Sequence, residues 1–160
     1  MEGGKCNQHL GQYEEALAHY DIALIKADKG DIEKEILYNR GLANSSLMRF
    51  EDAIDDYRKA CARIADPTKD FHARFQLGVT LRRIPGCLDE SIIELKKACD
   101  GQGQKPQAHA LNNLGLSYFE AEEWDSAYEY FTQAIGVKDD KQSNENVSFY
   151  FKNRGLCLYH

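Results

Sequence analysis

The chain has 160 residues, 42% hydrophobic and 29% charged, with a formal net charge of −6. It is long enough to bury a core, while the absence of any run near the roughly 20 apolar residues of a membrane span and the lack of an apolar segment after Met1-Glu2-Gly3-Gly4-Lys5 exclude a spanning helix or secretory signal in this sequence. The acidic balance also argues against a nucleic-acid partner, because phosphate binding rests on a basic surface.

Apolar residues at helical spacing predict helices, in chain order, over about 13–27, 32–47, 50–64, 68–83, 88–100, 106–120, 124–136 and 144–159. Asp31, Asp66 and Ser143 stand where N-caps belong, and Pro106 suits a first helical turn. Gly101-Gln102-Gly103-Gln104 and the polar stretch 138–146 read as loops. The five cysteines, Cys6, Cys61, Cys87, Cys99 and Cys157, are odd in number and lack a C-x-x-C pair. They are expected to be reduced thiols of a cytoplasmic protein rather than disulfide or zinc ligands.

The dominant signal is an internal repeat. Gly4, Gly41, Gly78 and Gly115 are spaced by 37 residues, and Gly155 follows 40 later. Twelve residues after three of these glycines stand Ala16, Ala53 and Ala127, and the Gly78 unit has Ser91 after thirteen, its extra residue falling at Pro85-Gly86. Tyr20, Tyr57, Leu95 and Phe131 come four residues further on, and then Ala23, Ala60, Ala98 and Ala134. Glycine inside a helix costs about 0.5–1 kcal/mol, so its recurrence calls for close packing of two antiparallel helices per unit.

These positions resemble the tetratricopeptide repeat, most closely in Leu111-Asn112-Asn113-Leu114-Gly115-Leu116-Ser117-Tyr118 with Trp124, Ala127, Phe131 and Ala134. The resemblance covers nearly the whole chain and implies an all-α fold, a right-handed α-solenoid of antiparallel helix pairs. About four units are expected, near 1–29, 30–66, 67–103 and 104–140, with a partial unit at 141–160. The open apolar face expected at each end suggests a segment of a longer protein. Arg40 and Arg154 stand where the family has Leu before the glycine, and Arg74 replaces an apolar residue four before Gly78. Looser packing is the expectation there.

In the resembling family the first helix of each unit lines a concave groove that holds a partner's peptide or helix. Two residues before the glycines stand Asn39, Gln76, Asn113 and Asn153. A row of carboxamides, each with donors and an acceptor, can pair with the backbone of an extended peptide. Tyr38, Phe75, Asn112 and Lys152, one position earlier, and Arg82 and Arg83 beyond Gly78 are expected to edge the same groove. The aromatics would anchor an apolar side chain and the arginines an acidic one. The alternative reading is that Asn and Gln cap or brace neighbouring units.

The chaperone-tail clamp found in part of the family is not expected, because His72 and Gln76 stand where it needs Lys and Arg. His72 and His109 share a column but lack a third metal ligand. No G-x-S-x-G, H-E-x-x-H or phosphate-loop motif occurs. The expected function is thus a protein-binding module with neither catalysis nor cofactor. The alternative is an architectural element of a large assembly, such as ciliary, cytoskeletal or transport machinery, packed through its outer faces.

Overall fold

A computed structural model describes residues 2–27, 30–62, 71–101, 107–137 and 144–159, with side chains from residue 11 onward except those of 144 and 145. Among these residues the elements are α1 (Glu2–Lys26), α2 (Asp31–Ser46), α3 (Phe50–Ala62), α4 (Phe71–Leu81), α5 (Leu88–Cys99), α6 (Ala108–Glu120), α7 (Trp124–Gly136) and α8 (Asn144–Leu156), followed by a 3-10 turn at Cys157–Tyr159. The tightest packing joins α2 to α3, α4 to α5 and α6 to α7, and each hairpin then leans on the helices before and after it. The result is an all-α helical-repeat solenoid.

The repeat columns make the hairpins. On α3 the residues Ala53, Tyr57 and Ala60 are fully buried, as are Ser91 and Leu95 on α5 and Ala127, Phe131 and Ala134 on α7. Each large side chain lies across the glycine of the preceding helix. A Cβ on Gly41 would stand 2.6 Å from Tyr57, one on Gly78 2.6 Å from Leu95, and one on Gly115 2.7 Å from Phe131. Glycine is therefore required by the closeness of the two axes and not by backbone conformation. Ser91, in place of alanine, adds a bond: its Oγ donates to Gly78 O at 2.8 Å and lies 3.1 Å from Ser117 Oγ.

The turns inside the hairpins repeat as well. Met48, Gly86 and Glu122 adopt positive φ of 57°, 83° and 60°. The N–H of Arg49 reaches back to Asn44 O at 2.9 Å and that of Glu123 to Tyr118 O at 3.0 Å, which satisfies carbonyls at the helix end. A left-handed conformation costs a non-glycine residue roughly 1–2 kcal/mol, partly offset by glycine's greater unfolded freedom. Met48→Gly and Glu122→Gly are each expected to stabilise the fold by about 0.5–1 kcal/mol, read as a higher urea midpoint at unchanged slope. Lower midpoints in both would show that the turns carry no strain.

Several sequence expectations change. Residues 2–26 form one continuous helix where 13–27 was expected, so Gly4 lies on the same helix as Ala16 and Ala23. The segment 2–12 carries only Cys6 and Leu10 as sizeable apolar residues, and a helix folded back from it would have little to bury. Asp31 is not an N-cap but the first residue of α2. Gly30 holds the cap position without a side-chain bond, and Asp31 and Glu33 instead complement the positive end of the helix. Arg82 and Arg83 belong to the turn after α4. Asp66, Pro106 and Ser143 lie outside the described residues.

The packing around the arginines is not loose. Arg40 Nε donates to Asp56 at 3.0 Å and Nη2 donates to its other oxygen, while Nη1 reaches Asp21 at 2.6 Å. Asn44 adds an N–H to Asp56 at 3.1 Å. The Asp56 hydrogen bonds hold the guanidinium even more firmly protonated than usual, against its desolvation. Arg74 likewise meets Glu94 at 2.8 Å. Asp56 and Glu94 occupy equivalent places, three residues after Ala53 and Ser91. Their arginines come from different registers, Arg40 directly before its glycine and Arg74 four before. Arg154 instead lies over the Tyr128 and Phe151 rings, 5.6 and 5.1 Å from their centroids.

Candidate functional site: the layer of first helices

The helices α2, α4, α6 and α8 touch one another sideways and so present a continuous layer. Tyr38 on α2 shares a hydrogen bond with Gln76 on α4. Phe75 on α4 meets His109 on α6, with ring centroids 4.8 Å apart. Arg82, just beyond α4, donates to Glu120 on α6 at 2.9 Å, and Asn153 on α8 donates to Asn112 on α6 at 2.9 Å. These rungs lie 34 to 41 residues apart in sequence, close to the repeat period.

The expected carboxamide row divides in two. Asn39 and Asn113 are half-buried and anchor one N–H on their own helix, to Glu35 O at 2.9 Å and His109 O at 2.8 Å. That bond fixes χ angles and leaves each amide a second N–H, while the Asn113 oxygen takes a long contact from Arg82 at 3.4 Å. Gln76 is half-buried between them beside Tyr38. Asn153 departs from the row: it is only 5% exposed, as is Asn112, and each is the other's partner. Both brace α6 against α8 inside the stack, a correction to their placement on the groove. An internal amide pair of this kind satisfies polar atoms that water cannot reach.

The flanking residues also sort by burial. Tyr38 is half-buried and tilted on Tyr57, and burial raises its hydroxyl pKa against the lowering effect of Gln76. Arg82 is spent on Glu120 and on a long contact to Asn113 at 3.4 Å, so it is not the free cation expected for an acidic ligand. Arg83 and Lys152 are exposed, the latter over the Phe149 ring at 5.8 Å.

An aromatic cluster on the same layer escaped the sequence reading in part. Phe71 stacks on Phe75 with centroids 5.7 Å apart, and His109 stands edge-on to both rings. His72 is edge-on to Phe71 at 5.3 Å. The histidine column is therefore held by π faces. Among the described residues no group of three or more His, Cys, Asp or Glu is placed to hold a metal. The i, i+4 pair Phe71/Phe75 with His109 one repeat beyond His72 was the signal that could have revealed this cluster.

A cleft of about 440 Å³ lies apart from this row, between α1, α2 and α3. Of the carboxylates that line it, Asp21 and Asp56 meet Arg40, Glu14 meets Arg49 and Asp55 meets Lys59, and Asp52 stands beside them. Among the described cysteines, Cys61, Cys87, Cys99 and Cys157 form no disulfide. Burial, then the nearby Asp100, pushes the Cys99 thiol up to about 12, which removes it as a nucleophile at neutral pH. Among the described residues no helix is long and apolar enough to cross a membrane.

Comparison with known proteins agrees with this geometry. Models described as tetratricopeptide repeat match residues 9–70 and 108–141. Human tetratricopeptide repeat protein 13 is 26% identical over 155 residues, which is 94% of this chain but 16% of that protein. The chain thus spans about a sixth of that relative's length. Among solved structures, BtubC from P. vanneervenii superposes with a TM-score of 0.81 at 19% identity, over 95% of this chain and 67% of its own. YrrB, described as a TPR protein with an unusual peptide-binding site, gives 0.70 at 23% identity, over 89% of this chain and 67% of its own.

Proposed function

We propose that this chain, which belongs to the tetratricopeptide-repeat family, is a protein-interaction module whose first-helix layer binds a partner's peptide segment. The observation that carries this reading is the half-buried row Asn39, Gln76 and Asn113, one carboxamide per first helix, beside the Phe71/Phe75/His109 cluster. Oriented amides can bond a peptide backbone whatever its side chains, and a partly exposed aromatic cluster can take one apolar side chain. The similarity to YrrB, itself described as having a peptide-binding site, is in keeping with that use.

The architectural reading draws on a different observation. Ile22 and Ile25 on α1, Ile93 on α5 and Tyr128 on α7 are exposed apolar residues on the second helices. Such residues would serve packing of the outer face against neighbours in an assembly.

Peptides selected from a displayed random library on the 160-residue chain separate the two readings. Asn39→Ala with Asn113→Ala is expected to leave helicity and melting unchanged, because both side chains bond only locally or over long distance, and to weaken the selected peptides about tenfold, from roughly 1–3 kcal/mol of lost hydrogen bonding. An unchanged dissociation constant would sink the groove reading. Loss on Ile25→Glu with Ile93→Glu instead would favour the outer face. Asn153→Ala belongs to neither arm, since it strands the buried Asn112 oxygen and acts on stability.

A further inference from the structure

The row of amides has an apolar companion. Leu42, Val79 and Leu116 stand one residue after Gly41, Gly78 and Gly115, and three after Asn39, Gln76 and Asn113. A spacing of three puts each of them one turn along the same side of its helix as the amide. All three are half-buried, with one flank packed on the core. The helices α2, α4 and α6 thus each offer one amide and one apolar side chain, and the pattern recurs at the separation of packed helices, roughly 8–10 Å. What the row has left to give is mostly donors. Asn39 and Asn113 each keep a second N–H, while the Asn113 oxygen takes the long contact from Arg82. Gln76 lowers the Tyr38 hydroxyl pKa, as an N–H given to the phenol oxygen does, so the Tyr38 proton is not used in that bond.

We propose that the segment bound by this layer is a proline-rich one in the polyproline II conformation, with an apolar side chain at every third residue. This rests on the groove reading above and names its class of ligand. Three residues of polyproline II complete one turn and advance about 9.3 Å, so every third side chain faces the same way at the spacing of the helices. Other backbones fit less well. A β-strand returns a side chain to the same face every two residues, about 6.6–6.8 Å, and presents its opposite face at about 10 Å. An α-helix places side chains seven residues apart at about 10.5 Å, but its carbonyls are bonded to its own N–H groups and leave the amides unanswered. In polyproline II no carbonyl is bonded internally, and proline, which lacks an N–H, asks for no acceptor in return. Tyr38 and Phe75, half-buried beside the row, supply aromatic faces of the kind against which such segments dock.

Fluorescence anisotropy of labelled synthetic peptides on the 160-residue chain tests this. A peptide of four Leu-Pro-Pro repeats is expected to bind about tenfold tighter than one of four Leu-Gly-Ser repeats, which keeps the apolar spacing without a fixed backbone. It is also expected to bind about tenfold tighter than Leu-Pro repeats of equal length, whose leucines scatter over every face of the same helix. Val79→Thr keeps the shape of a half-buried side chain, and is expected to leave melting unchanged and to weaken the Leu-Pro-Pro peptide about fourfold, the loss of roughly one buried methyl. Asn39→Ala with Asn113→Ala is expected to weaken it about tenfold. Equal binding of the three peptides, a Leu-Pro-Pro affinity indifferent to either Val79→Thr or the asparagine pair, or no binding of that peptide at all would each overturn the proposal. The groove reading has its own outcome. If library-selected peptides lose affinity in the asparagine pair but carry no three-residue apolar period, that reading stands and this one falls, whereas selected peptides indifferent to the pair remove both.

Discussion

Gly115→Ala is expected to lower the stability of the fold by about 1–2 kcal/mol, whereas Gly155→Ala, at the same register on α8, raises it by about 0.5–1 kcal/mol. The two substitutions make the same chemical change in helices of the same repeat. At Gly115 the new methyl would sit 2.7 Å from Phe131, a ring with no exposed surface and buried neighbours on every side, so either the ring or the axis of α7 must move. Overpacking of this kind costs about 1–3 kcal/mol, and the gain in helix propensity recovers only part of it. At Gly155 the methyl meets open space and only the propensity gain remains. Urea unfolding of both variants checks the contrast. Equal shifts would mean that the aromatic ring relaxes freely and that packing does not explain the glycine column.

Arg40→Leu is expected to destabilise the chain by about 3–5 kcal/mol, because it removes every charged partner from a buried carboxylate. The Asp56 side chain is 2% exposed, and after the change only the Asn44 amide would face it. The double variant Arg40→Leu, Asp56→Leu is expected to recover most of the loss, since replacing a buried pair by apolar residues of similar size is often nearly neutral. As a control, Arg58→Leu breaks the Arg58–Glu90 pair between α3 and α5, whose side chains are 51% and 41% exposed, and is expected to cost less than about 1 kcal/mol. The quantity to measure is the coupling free energy of the Arg40/Asp56 cycle. A coupling no larger than that of the exposed pair would show that Asp56 finds other partners.

The repeat was legible because its positions are defined by volume. Gly41, Gly78 and Gly115 recur with Tyr57, Leu95 and Phe131 at constant separations, and those separations are the ones the hairpins use. Volume at a helix crossing is a pairwise matter between two registers, and both registers are printed in the chain. The groove was legible only in outline. Asn39, Gln76, Asn113 and Asn153 look equivalent as letters, but Asn153 is drawn inside by Asn112, whose own register holds Tyr38 and Phe75 in the earlier units. Two amides facing each other bury where an aromatic ring facing an amide leaves the amide at the surface. Arg82 likewise read as a free cation until Glu120, one repeat on, came to its side.

The arginine substitutions show the same division. Arg40 and Arg74 break the family pattern, and nothing local to either residue announces a partner. Asp56 and Glu94 are 16 and 20 residues away and reach them only once the hairpin has closed. Residue order alone settled the α2/α3, α4/α5 and α6/α7 hairpins and their close contacts, because those depend on periodicity and side-chain size. Which polar groups are buried, which are paired and which remain for a ligand was decided by the folded stack, because hydrogen bonds and ion pairs depend on the direction and reach of side chains from neighbouring repeats, and burial by those neighbours sets the cost of leaving any of them unmet.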